Sequence, residues 1–447
     1  MSATWIVPFR SGLLILLLIA TTIASFAQSR VTEFTEYTLD NGLHVILHED
    51  HSTPIVAVTV MYHVGSKNEN PDRTGFAHFL EHLLFEGSAN IARGEFDRYV
   101  ERAGGTNNAN TWYDRTFYYE VLPSNHLATG LWLESERMLH ARVDEKGIET
   151  QRQVVKEERR QRVDNQPYGS VLEESMKRAY RQHPYQWSVI GSMDHLDAAE
   201  AADYLQFYKD FYRPDNAVLS IAGDIDIAET KALVQKYFGT IPRGRGEIYR
   251  PEIVEPALGG EVRDTIYDNI QLPGVVQTYR TPAQGTEEYY AVDLLSRLLS
   301  SGESSRLYRT LVDEQQQALF VGSFPMQLED PGVTLAFGIA NMGVDPGDLE
   351  RAMNAEIDRV KTELISEREF QKLLNRIEAE FVTGNASVEG VAESLANYHM
   401  YYGDANLINT EIERYRNVTR EDIRAAARRY LRPDNRVVLY YLPNLDN

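Results

Sequence analysis

One motif occurs twice. Phe211-Tyr212-Arg213-Pro214-Asp215-Asn216 returns as Tyr430-Leu431-Arg432-Pro433-Asp434-Asn435, and each copy follows a helical pattern and opens a strand-like apolar run, Ala217-Val218-Leu219 and Arg436-Val437-Val438-Leu439. Self-similarity at a spacing near half the chain predicts two domains of one fold. Between the copies, Pro242-Arg243-Gly244-Arg245-Gly246, Pro251, Pro256 and Gly259-Gly260 have the composition of an exposed linker. The expected division is therefore a first domain over residues 31–242, a linker over 243–262 and a second domain over 263–447.

Residues 1–27 are set apart. Arg10, the apolar run Leu13 to Ala20 and the small-x-small site Ser25-Phe26-Ala27 follow one another in the order of a secretory signal peptide. Export, to the periplasm, is the expectation, with no membrane span after cleavage because no later run approaches ~20 apolar residues. About 420 residues remain, enough for two domains of ~150–200. There is no cysteine, so neither a disulfide nor a thiolate ligand is available, and any metal site must use nitrogen and oxygen donors. A formal charge of −21 is poorly suited to nucleic acid.

Along the chain, strand signals at 36–39 and 43–47 flank a turn at Asp40-Asn41-Gly42, and 55–64 is a long β-branched run. Helical patterns are read over 89–103, 127–162 and 198–212, and strands over 111–121 and 217–223.

After the β-branched run comes His78-Phe79-Leu80-Glu81-His82 in an apolar setting, Gly75 to Phe85. Residues four apart share a helix face, so His78 and His82 can hold one ion, while Glu81 is placed to take a proton from water on it. This is the zinc helix with its order inverted, H-x-x-E-H. Thr74 is the expected N-cap and Gly87 the expected stop. The bland alternative is a core helix with incidental histidines. Two at this spacing with a glutamate between, among only 11 histidines, disfavour it. Laying Leu298-Leu299-x-x-Gly302 on Leu83-Leu84-x-x-Gly87 puts Asp293, Ser296 and Arg297 at the three positions, so the second half is expected to carry no metal site.

A hydrolytic zinc site takes a third protein ligand and keeps one open position. The best segment is Glu149 to Arg160. Glu158 shares a face with Val154 and is expected to project from the buried side beside Val154 and Val155. Glu157, about 100° away, is expected to meet solvent or Arg160.

With these segments in hand, the chain resembles the M16 metallopeptidases, the pitrilysin, insulin-degrading and mitochondrial-processing group. The resemblance covers nearly all of the mature chain. It rests on Leu39-Asp40-Asn41-Gly42-Leu43, the His78–His82 motif with Gly87, and Gly104-Gly105-Thr106-Asn107-Asn108-Ala109-Asn110-Thr111 leading to Asp114-Arg115-Thr116. It continues in the glutamate about 76 positions after the motif, His183-Pro184-Tyr185 and Arg213-Pro214-Asp215-Asn216. It implies an α+β fold of two homologous domains, each a mainly antiparallel sheet with helices packed on it, forming half of a clam-shell chamber. It implies one Zn²⁺ per chain on His78, His82 and Glu158, with Glu81 as the catalytic group. A peptide substrate would add a strand along Asn108, Ala109 and Thr111.

Two departures stand out. Gln151 occupies a position where many members carry a further glutamate, with Glu149 near but off the face. Val312 and Leu319 stand where the substrate-gripping Arg and Tyr are expected, while Arg306 and Tyr308 nearby read as structural. A homologous M16-like subunit that lacks H-x-x-E-H is therefore the expected partner in a heterodimer; the competing expectation is a homodimer. The functional expectation is an exported zinc endopeptidase acting on peptides or unfolded segments. The alternative, a non-hydrolytic scaffold or assembly subunit, has no use for Glu81. A metal-storage module fits a large two-domain chain poorly.

Overall fold

A computed structural model describes residues 31–444; the signal-peptide reading of 1–27 lies outside them. From Phe34 onward the described chain is one compact unit. Two sheets organise it. The first runs in the order β1-β2-β6-β3-β5-β4, from Thr35–Thr38, His44–Glu49, Ala217–Gly223, Ile55–Tyr62, Thr116–Pro123 and Thr106–Thr111. The second runs β7-β11-β8-β10-β9, from Val262–Asp268, Arg436–Pro443, Gly274–Arg280, Val333–Ala340 and Ala318–Pro325. In each, one parallel pair (β2 with β6, β7 with β11) is followed by antiparallel neighbours only. Without β1, the first sheet has the order and sense of the second.

The repeated motif shows why. In each copy the proline starts a short 3₁₀ turn that leads into the strand. Asn216 donates through Nδ2 to the carbonyls of Phe211 (2.8 Å) and His63 (3.3 Å). Asn435 donates likewise to Tyr430 (2.8 Å) and Arg280 (2.9 Å). Each asparagine ties the end of one helix to the end of the neighbouring antiparallel strand, so the entry into β6 and into β11 is built alike.

Each half also covers the other. On one face of the first sheet Ile46, Ala57, Met61 and Val218 pack against Val391, Leu395 and Ala396 of the helix Val388–Tyr402, which belongs to the second half. On one face of the second sheet Val276, Leu335 and Leu439 pack against Met176 and Tyr180, at the end of the helix Val171–Ala179 of the first half. Burying one large apolar side chain contributes ~1.5–3 kcal/mol. Uncovering both faces would cost an amount comparable with a domain's whole stability of ~5–15 kcal/mol. The halves therefore stand or fall together.

The expected linker is a strap. Residues 243–260 contain no helix or strand, but they are not simply exposed. Leu258 is buried, Arg250 donates to the His63 carbonyl (2.6 Å), and the Glu255 carboxylate accepts from the backbone N–H groups of Arg181, Gln182 and His183. Three helix readings also change at their ends. The helix expected from residue 89 starts at Glu95, because the Ser88 hydroxyl takes the N–H groups of Asn90 and Ile91 and holds a turn there. The 127–162 pattern is two helices, Leu127–His140 and Glu145–Arg159, the second capped by the Asp144 carboxylate on Gly147 N–H. The helix expected over 198–212 is Ala201–Phe211.

Candidate metal centre

The H-x-x-E-H segment forms a helix, α1 (Phe76–Leu83), between β3 and β4. Phe79, Leu80 and Leu83 are fully buried, and Phe76 and Phe79 both stack on Tyr204 at 4.7 Å. Its start differs from the expected one. Thr74 turns away to bond His195 and Ser192. Gly75 takes the N-cap position with φ +90°, and the buried Glu69 carboxylate accepts from Gly75 N–H (2.9 Å) and Ala77 N–H (2.8 Å). Burial raises this carboxyl to about 8 even against those bonds, so its part at the helix start is to accept from otherwise orphaned donors. The helix also ends before Gly87. Arg137, fully buried and stacked among Phe85, Phe96 and Tyr118, donates to the Leu84 carbonyl (3.2 Å), so a cation closes the other end.

The helix α2 (Glu145–Arg159) brings Glu158 to α1. His78 Nε2 and His82 Nε2 lie 3.3 Å apart, and Glu158 Oε2 is 3.5 and 3.3 Å from them. Ligand atoms ~2.0–2.2 Å from one ion at tetrahedral angles sit about 3.3–3.5 Å apart. Glu158 Oε2 is buried with no hydrogen-bond partner, and its other oxygen pairs with Arg162 (2.6 Å). Three donors converging on one point, one of them an orphan, fit a divalent cation. A second group, Glu36, His44 and His399, also brings donors together. There the two imidazoles stack 3.4 Å apart at 5°, so their in-plane lone pairs run side by side and do not converge.

Burial, with His82 beside it, pushes the His78 imidazole down to about 4. Burial also opposes charge on His82, but the carboxylates of Glu158 and Glu81 outweigh it and hold that ring above its usual value. The His82 contact draws Glu158 below the usual carboxylate range. Burial raises Glu81 above it, against the opposing bond from Thr111. A neutral His78 and an ionised Glu158 are the states a cation needs, and His82, drawn toward its charged form by the two carboxylates, would release its proton when the cation takes their charge.

Glu157 lies outward, as expected, and pairs with Arg160 (3.1 Å). The buried neighbour of Glu158, however, is Val155; Val154 is 44% exposed. Gln151, Val155 and Glu158 share the inner face at i, i+4 and i+7. Gln151 donates to Glu86 (2.6 Å) and supports His82 through its side chain. Glu149 points to solvent with Arg152. The strand carrying Asn108, Ala109 and Thr111 is β4, an edge of the first sheet. Thr111 donates to Glu81 Oε2 (2.5 Å), Ala109 packs on the core, and the exposed Asn108 accepts from the Ala109 N–H.

In the second half the helix Glu287–Ser300 stands between β8 and β9 as α1 stands between β3 and β4. Its Asp293 is taken by Arg297 and the Tyr415 hydroxyl, and Ser296 bonds Ser323. Among the described residues no donor cluster forms there. Arg306 is held by both oxygens of Glu369, Tyr308 and Val312 pack on the second core, and Leu319 is 59% exposed.

Comparison with known proteins agrees with this architecture. Zinc protease PqqE of Helicobacter pylori is 34% identical over 87% of this chain and 88% of its own. The chain belongs to peptidase family M16. The M16 family model described as Insulinase matches residues 44–192, and the one described as Peptidase M16 inactive domain matches 198–377, which includes β7 to β10. The crystal structure of a protease from Helicobacter pylori aligns with a TM-score of 0.88 at 31% identity over 92% of this chain and all of that one. The periplasmic protease PqqL from Escherichia coli aligns at TM-score 0.75 and 19% identity, a likeness of fold alone, covering 93% of this chain and 48% of PqqL. Curated relatives named as zinc proteases make a metallopeptidase the family's activity class.

Proposed function

We propose that this M16 chain is an exported zinc endopeptidase that cuts peptides or unfolded segments. The observation that carries the reading is the convergence of His78 Nε2, His82 Nε2 and Glu158 Oε2 at 3.3–3.5 Å, with Glu81 on the same helix. These three residues would hold one Zn²⁺ per chain. When bound, the ion supplies Lewis acidity toward a peptide carbonyl and toward water. The protein does the rest. Glu81, held by Thr111, takes a proton from the attacking water and returns it to the leaving amine. A raised carboxyl suits both steps, since it is the stronger base toward water and keeps the proton until the leaving amine takes it.

The β4 edge, with Asn108, Ala109 and Thr111, would receive the substrate as an added strand, backbone bonds giving affinity without strict sequence demand. Its end at Thr111 bonds the proposed base, so a strand laid along it runs to the centre. The second half, lacking the donor cluster, forms the other wall. Residues 31–242 and 263–447 are the two homologous domains, with 243–262 as the strap between them.

A partner follows from the same geometry. Val312 and Leu319 offer no polar grip, and Arg306 is committed to Glu369. The chain spans about half of PqqL, so a second M16-like chain without H-x-x-E-H completes the chamber; a homodimer is the competing assembly. Export to the periplasm rests on the first 27 residues and agrees with the periplasmic description of PqqL. The test is hydrolysis of a quenched fluorescent peptide by the purified chain, with and without chelator, alone and with a homologous metal-free chain. Chelator-insensitive cleavage, or none in any combination with metal bound, contradicts the reading.

A further inference from the structure

The segment Ser66–Glu69 has two attachments. At one end Glu69 holds the first N–H groups of α1. Two residues earlier the Lys67 ammonium, 5% exposed, meets Glu329 Oε2 (2.5 Å) and Asp330 Oδ2 (3.1 Å) of the second half, together with Asp114 Oδ1 (2.9 Å) of the first. Glu329 and Asp330 lie in the turn between β9 and β10. Their backbone is fixed on the same spot: Glu329 N–H donates to Asp114 Oδ2 (3.0 Å), and Asp330 N–H to the Tyr185 hydroxyl (3.0 Å), which donates to Asp114 Oδ1 (2.7 Å).

The segment also lies directly on the chain that continues β4. Ser66 N–H and Lys67 N–H donate to the carbonyls of Trp112 and Tyr113. A side chain at Gly65 would meet Trp112 O at 2.2 Å, so only glycine allows this approach. Thr111, which bonds Glu81, is the residue before Trp112. One buried ammonium thus gathers the stretch leading into α1, the stretch leaving β4 and the turn of the second half.

We infer that the Glu329–Asp330 turn is a positioning element of the metal centre, acting through Lys67 and Glu69 on α1 and through Asp114 on the end of β4. This rests on the proposed zinc site and extends it: the half without ligands sets the register of the half that has them. A buried cation keeps its place only while its carboxylates compensate it. Weakening them lets the 66–69 segment shift, and a shift well under 1 Å at the ends of α1 changes ligand convergence.

The test uses the full chain carrying Glu329→Gln with Asp330→Asn, and Glu329→Gln alone as the milder form. Zinc dissociation constant, kcat and KM for a fluorogenic peptide, and Tm are measured. The expected result is a zinc dissociation constant raised at least fivefold and kcat lowered at least tenfold, with KM within twofold, below the melting temperature; the single variant moves the same way by less. Leu395→Ala is the control. It loosens a different contact between the halves, one that does not involve residues 66–69, and folded protein should keep wild-type zinc affinity and kcat. Wild-type zinc affinity and kcat in the two turn variants overturn the inference, as do equal losses in Leu395→Ala. A wild-type chain that binds no zinc overturns the proposed function as well, and is seen before any variant is compared.

Discussion

Thr111, on the edge strand of the first sheet, donates its hydroxyl to Glu81 in the H-x-x-E-H helix at 2.5 Å. The bond joins the strand proposed to receive substrate to the group proposed to move the proton. It also sets a pH dependence. Burial raises the Glu81 carboxyl and the Thr111 bond opposes that rise. A general base must be ionised, so activity falls as pH drops through the Glu81 titration. Thr111→Val removes the opposing bond, Glu81 titrates higher, and the acid limb of kcat/KM moves to higher pH. A pH–rate profile checks this; an unmoved or lowered acid limb contradicts it.

The adjacent glutamates should separate cleanly. Glu158→Gln replaces a carboxylate ligand with a poor one and should leave the dialysed protein largely metal-free. Glu157→Gln, exposed and paired with Arg160, should keep metal and activity near wild type. Metal analysis after dialysis decides between them.

Gln151 stands where a glutamate was expected, and its amide supports His82 while donating to Glu86. Groups that orient a metal ligand typically contribute ~10–100-fold in affinity or activity. Gln151→Leu should therefore weaken zinc binding by about that factor with Glu158 and both histidines intact. Competition with a chromogenic chelator measures it, and unchanged affinity would remove Gln151 from the site.

The exchange of helices between halves predicts a single unfolding transition. Leu395 is fully buried against the first sheet although it belongs to the second half. Leu395→Ala should cost ~2–5 kcal/mol and lower one Tm shared by both halves. Two separated transitions by calorimetry would show that the halves fold independently.

Much of this architecture was legible in the sequence because it depends on local spacing. The His78–His82 pair, the outward Glu157 and the twin Arg-Pro-Asp-Asn entries into β6 and β11 follow from helix period and turn chemistry. What escaped was set by residues distant in sequence. Thr74 has the chemistry of an N-cap, but Glu69, arriving from a preceding 3₁₀ turn, takes the helix N–H groups. Arg137, which closes the same helix, is 53 positions from Leu84. Val154 and Val155 are equally apolar, and only the packing of α2 on α1 selects Val155 as the buried one. Residues 243–262 have a linker's composition, yet Glu255 and Leu258 are anchored by partners no local pattern reveals.

The central claim is that His78, His82 and Glu158 hold the ion while Glu81 moves the proton. Glu81→Gln tests it most directly when bound zinc and peptide cleavage are measured on the same preparation. The account predicts close to one zinc per chain and cleavage reduced by ~10²–10⁴-fold or more. Cleavage near the wild-type rate, or loss of zinc together with activity, would contradict it.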